Sequence, residues 1–274
     1  MNNFLLSDTN IKVKSILLTI FIILVEYFLT YIFNINFYYY IWIILVLTYF
    51  FVFSLVNFRA NLYEALTLLL FPIIYIFSYS FFIFKVLFSI LHFGVLSFVG
   101  INLIFILFGI VLYMIFINIS IIHASFIEDV PLAQFTHTIN YIISLIVGYM
   151  FFSFVVFGGI HWFPLDIAYG FLGGVIITSQ IMWGLGYSMS KIILYSVISG
   201  FILMFSSFVL LFYPVIVFIK ALFLSVTLYI YNGIIIHYIK GSLKKHIFIE
   251  YIIILIIISL FLIFYTSWGI AGGI

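Results

Sequence analysis

A chain of 274 residues that is 68% hydrophobic, 6% charged and +1.47 in mean hydropathy carries more apolar surface than one soluble core can bury, so it reads as a polytopic membrane protein. The formal net charge of +2 is too small and too dispersed for nucleic-acid binding. The absence of cysteine removes disulfides, thiolate nucleophiles, cysteine-ligated zinc and iron–sulfur clusters. Backbone amides in hydrocarbon have to be satisfied within their own segment, and the alternation of barrel strands is missing. The expected fold is therefore all-α, a transmembrane helix bundle of about nine spans (eight to ten) forming a single membrane domain over residues 1–274.

Thirty-seven Phe, 21 Tyr and eight Lys against the single Arg59 are the residue choices of an AT-rich genome. Individual aromatic or isoleucine positions consequently carry little functional weight, and aromatic stripes read as packing or lipid-facing surface.

The basic N-terminal stretch "MNNFLLSDTNIKVK" precedes an apolar run, Ser15 to Phe33, that is long enough to cross a bilayer and is followed by no small-residue cleavage site. It is expected to be a retained first helix. Within it, Glu26 lies mid-span, where an ionised carboxylate is costly unless paired. It is either a proton or cation site facing the bundle interior or a protonated side chain bonded to a neighbouring helix. Lys220, Asn102, Gln180 and Asn232 are its conceivable partners.

Further spans are expected near Phe37 to Val56, Ala65 to Phe84 and Ser97 to Phe116. The stretch from Ala65 to Ser120 is too long for one crossing of ~30 Å and is assigned two. The connection "HASFIEDVPLAQFTHT", His123 to Thr138, follows. Glu128, Asp129 and Pro131 suit the start of the next helix, where acidic groups and a first-turn proline are favoured. The same carboxylates with His137 could instead stand over a cavity if the apolar half, Ser120 to Ile127, lay on or re-entered the membrane. His123 and His137 have the fourteen-residue spacing with which one helix ligates two haems. No second matching pair exists among His92, His161, His237 and His246, so neither a metal nor a haem is expected, and no cofactor is. Asn118–Ile119–Ser120 matches a glycosylation pattern but falls on the side read as cytoplasmic.

Spans near Phe135 to Phe157, Asp166 to Tyr187, Lys191 to Tyr213, Val217 to Tyr238 and Phe248 to Trp268 complete the chain. In "FGGIHWFPLD", Gly158 and Gly159 read as a helix end, Trp162 as an interfacial anchor and Asp166 as an N-cap. Gly170, Gly173 and Gly174, with Gly184 and Gly186, permit close helix approach or mark a broken helix at the midplane. Lys220 reads as a snorkelling residue at the outer interface.

With a cytoplasmic N-terminus, Lys12, Lys14, Arg59, Lys191, Lys240, Lys244 and Lys245 face the cytoplasm, and only Lys85 and Lys220 lie outside. That distribution follows the positive-inside rule and places the C-terminus externally, in a cell (plasma) membrane. The run "NISIIHASFIEDVPLAQFTHTINYIISLI", Asn118 to Ile146, resembles a family of uncharacterised multi-span membrane proteins of ultra-small candidate-phyla bacteria. The resemblance implies membrane localisation and a helical fold, and it carries no functional residues.

The expected role is a non-catalytic permease-like carrier, with Glu26 as its coupling residue, or a membrane-embedded subunit or scaffold. The alternatives are an intramembrane enzyme acting on lipid-linked substrates through Glu128, Asp129 and His137, and an accessory subunit of an organellar respiratory complex. The expected partners are the lipid bilayer and other membrane proteins, with no nucleic acid.

Overall fold

The structure is a computed structural model that describes residues 13–25, 27, 70–79, 94–125, 133–157 and 163–266. Among these residues every regular element is a helix. Two are shorter and apolar, α1 (Val13–Val25) and α2 (Leu70–Tyr79). Six follow in order: α3 (Gly94–Ser125), α4 (Ala133–Phe157), α5 (Phe163–Gly184), α6 (Met189–Leu211), α7 (Val217–Ile239) and α8 (Lys245–Phe264). Each of these six is long and apolar enough to cross a membrane. The chain is a helical membrane protein.

It divides into two compact units, Met1–Ile143 and Ser144–Ile274, with the boundary inside α4. In the first unit, α1 and α2 both pack on α3. The Tyr75 hydroxyl donates to the Phe108 carbonyl at 3.2 Å and the Tyr79 hydroxyl to the Ile104 carbonyl, so two buried phenols are satisfied by α3 backbone. Their rings stack on Phe108 at 5.3 and 4.2 Å between centroids. Gly109 leaves the space that the Ile23 side chain of α1 fills.

α3 is longer than the expected Ser97 to Phe116 span. Its 32 residues reach roughly 48 Å at 1.5 Å per residue, beyond a ~30 Å hydrocarbon core. Residues 117–125 continue the helix, so the first part of the apolar half of the His123–Thr138 connection, Ser120 to Ser125, is a helical extension of α3 and not a loop. The physical reason is a partner the sequence does not display: Asn118 and Asn140 are 4% and 2% exposed and bonded to each other across α3 and α4.

In the second unit, α5, α6, α7 and α8 are joined by connections of four or five residues, which reverse chain direction each time. The α5–α6 and α7–α8 connections therefore share one end, with Lys191, Lys240, Lys244 and Lys245, and the α6–α7 connection lies at the other. Gly186 (φ 73°) and Gly241 (φ 65°) hold left-handed turns at the first end, where side chains with a Cβ are strained. α5 begins at Phe163, so Asp166 lies within its first turn and is not an N-cap. Pro164 is the second residue of the helix, and its fixed φ suits that first turn.

α5 runs unbroken to Gly184, and its glycines serve packing. A Cβ on Gly174 would lie 2.9 Å from both the Gly200 Cα and the Ser199 carbonyl oxygen of α6. Gly173 faces Phe151 and Phe152 of α4, and Gly148 of α4 faces Leu228 and Ile177. Tyr251 of α8 lies over Gly233 of α7.

Candidate functional site

The residues singled out by sequence are placed unevenly. Glu26, Glu128 and Asp129 lie outside the described residues, as do His92, His161 and Trp162. His137 is half-buried in the second turn of α4. His123 belongs to α3, so the two histidines are carried by different helices and a single haem-ligating helix is ruled out. Lys220 sits in the first turn of α7, half-buried, and the Asp166 carboxylate of α5 acts on it electrostatically. The two opposite charges stand at the same end of the second unit, near the start of α5 and of α7.

The most concentrated described polar group is one the sequence did not assemble. Thr178 of α5, Ser199 of α6 and Asn232 of α7 are each 0% exposed. Thr178 donates its hydroxyl to Ser199 Oγ at 2.7 Å. Asn232 Nδ2 donates to Thr178 Oγ1 at 3.3 Å and to the Leu228 carbonyl of its own helix at 3.0 Å. The three helices meet here because the small residues at the α5–α6 contact bring the backbones together, leaving short polar side chains within reach. A parallel tie holds α6 to α7, where the Tyr231 hydroxyl donates to the Tyr195 carbonyl at 2.8 Å.

The group is not closed. Among the described residues, Asn232 Oδ1 accepts no hydrogen bond, and neither does Ser196 Oγ, one turn along α6 from Ser199 and 2% exposed. A buried acceptor without a donor costs about 1–3 kcal/mol, so such an atom calls for a reason. Thr178 precedes Gly184 by six residues and Asn232 precedes Ile239 by seven, which puts the group roughly 9–11 Å inside the lysine-bearing end.

Its chemistry is neutral and oxygen-rich. Among the described residues no histidine or carboxylate is bonded to the Thr178 or Ser199 hydroxyl, so neither is activated as a nucleophile. What the arrangement offers is a free amide oxygen and hydroxyls to a hydrogen-bond donor or a cation.

The first unit has a related junction. Asn118 Nδ2 donates to Asn140 Oδ1 at 3.1 Å. With its amide turned over, Asn118 donates to the Thr136 carbonyl at 3.0 Å and accepts from the Asn140 backbone N–H at 3.2 Å. Both orientations bind α3 to α4, and the buried Asn118 is closed to glycosylation. This junction is satisfied within itself, which separates it from the open group around Asn232.

Sequence reasoning named Asn232 and Gln180 only as partners for Glu26 and passed over Thr178, Ser199 and the Asn118–Asn140 pair. The available signal was the spacing of Ser196, Ser199, Gly200 and Ser207, one small-residue face of α6. Comparison with known families, with curated proteins and with solved structures gives no match.

Proposed function

We propose that the protein is a multi-pass carrier of the permease type in the cell membrane, with about nine spans, a cytoplasmic N-terminus and an external C-terminus. The observation that supports a carrier is the unpartnered Asn232 Oδ1, 0% exposed at the junction of three helices. A polar atom kept open inside a membrane bundle is favoured where something polar passes or rests. Around it α5 and α6 are held by glycine contacts and a 2.7 Å bond, and α7 is tied to Thr178 across 3.3 Å and to the Tyr195 carbonyl of α6 at 2.8 Å. The neutral oxygen donors fit a small polar solute or a monovalent cation. Glu26 remains the proposed coupling group.

The test is flux into proteoliposomes for protons, sodium, potassium, small polyols and amino acids, with wild type and Asn232→Leu. The carrier reading requires at least one flux that is abolished in Asn232→Leu while the melting temperature holds. Flux equal to that of empty liposomes for the whole panel, or unaffected by the substitution, removes the reading. Orientation is tested by impermeant maleimide on intact cells, and the cysteine-free chain needs no background substitutions. Lys240→Cys should label only after permeabilisation and Phe212→Cys, 63% exposed in the α6–α7 connection, without it. The reverse pattern inverts the topology.

A second reading, a membrane-embedded subunit or scaffold, is favoured by α8, of which only Tyr251, Ile258 and Leu262 are buried. Co-purification of a stoichiometric second membrane protein from native membranes would support it over the carrier.

A further inference from the structure

The α7–α8 connection carries Lys240, Lys244 and Lys245, and the helix field sorts them. Lys240 caps the C-terminus of α7, where the dipole favours a cation. Lys244 is the N-cap of α8 and Lys245 its first residue, where the dipole opposes one. No acidic residue lies in that first turn and Lys244 makes no side-chain cap. Both lysines are exposed, and among the described residues neither has a carboxylate partner. The two cations therefore stand side by side in unfavourable positions with nothing in the described chain to balance them.

They also line a groove. Leu243, Lys244, Lys245, Phe248 and Ile249 border an open hollow of about 400 Å³ at the start of α8. Residues four apart share a helix face, so Phe248 lies one turn below Lys244 and Ile249 one turn below Lys245. The rows continue downward through Ile252 and Ile256 on one side and Ile253 and Ile257 on the other, all at least 40% exposed. From Lys244 to Ile256 is twelve residues, roughly 18 Å along the axis, about the depth of one leaflet from its phosphates into its hydrocarbon. Glu250, the nearby exposed carboxylate, is on the opposite side of the helix from the groove, since it follows Phe248 by two residues.

A paired cation above a 400 Å³ hollow that leads into an exposed apolar track has the shape and charge order of a phospholipid in reverse. We propose that this groove seats an anionic phospholipid of the surrounding leaflet. Its phosphate lies between Lys244 and Lys245, and one acyl chain follows Phe248 and Ile249 down α8. A zwitterionic lipid fits the track but leaves the paired lysines unbalanced, so the preference is for net negative charge. The proposal is independent of what, if anything, the protein carries.

The full chain in detergent micelles, supplied with phosphatidylglycerol or phosphatidylcholine of the same acyl chains, is read by native mass spectrometry for retained lipid and by thermal melting. Two lysines near a membrane surface correspond to about a 30-fold preference for the anionic lipid. Lys244→Gln/Lys245→Gln should reduce it to within about threefold. Lys244→Arg/Lys245→Arg and the control Lys191→Gln should retain it, and the melting temperature in phosphatidylcholine should not change. A preference that survives the glutamine pair, or that Lys191→Gln abolishes equally, overturns the assignment. So does millimolar inorganic phosphate displacing phosphatidylglycerol, which would make the groove a free-phosphate site.

Discussion

α5 and α8 are both apolar helices of the second unit, yet they are held in opposite ways. Of the most apolar stretch of α5, 56% is buried, against 17% for α8, although α8 is the more hydrophobic of the two. α5 approaches α6 so closely that a Cβ on Gly174 would collide with backbone, and it carries Thr178 into the three-helix polar group. α8 buries Tyr251, which lies over Gly233, with Ile258 and Leu262, and leaves Ile253, Ile256 and Ile257 outward. In a bilayer the surroundings are as apolar as leucine, so hydrophobicity keeps a helix in the membrane without telling it where to pack. Small residues and buried hydrogen bonds do the locating.

The comparison can be broken first at Gly174. Gly174→Leu forces a side chain into the Gly200 backbone, and overpacking of this kind costs about 3 kcal/mol, because backbone cannot step aside as a side-chain tip can. Reversible unfolding in mixed detergent micelles would measure it, and a loss below about 1 kcal/mol would mean that the α5–α6 contact has slack. A smaller effect sharpens the polar half of the contrast. In a double-mutant cycle of Thr178→Val and Ser199→Ala, the coupling should be about 0.6 kcal/mol and not above about 1.7, the range for hydrogen bonds between membrane helices. Zero coupling would leave the 2.7 Å bond a geometric coincidence. The smallest effect belongs to α8. Ile257, 61% exposed, should change stability by no more than about 0.5 kcal/mol when replaced by Ala, since lipid refills the space. A large loss there would reveal a protein partner over this face.

Much of the helical layout is legible in the chain. The spans expected near Phe135 to Phe157 and Val217 to Tyr238 correspond to α4 and α7 with ends shifted by no more than two residues. Apolar length and the punctuation by glycine, proline and lysine are local, so they survive without knowledge of neighbours. The failures are equally specific. Residues 117–125 look like a connection because Asn118, Ser120 and His123 interrupt the hydrocarbon, but α3 continues through them, with Asn118 bonded to α4. Asp166 looks like a cap because it follows Pro164, but the helix has already begun at Phe163. Thr178 and Ser199 were invisible as a pair, since a hydroxyl in a span can equally bond its own helix backbone, as Ser225 does to the Ala221 carbonyl at 2.8 Å.

By itself the sequence determined that this protein lives in a membrane and is helical there, because hydropathy adds up along a chain and requires no partner. The tertiary structure alone decided which short polar side chains meet, that the group around Asn232 keeps an open oxygen, and that α8 turns its lysine-headed face outward. Those outcomes depend on the register and separation of helices distant in sequence. A hydrogen bond and a glycine contact are sensitive to a few tenths of an ångström in both, which no one-dimensional pattern records.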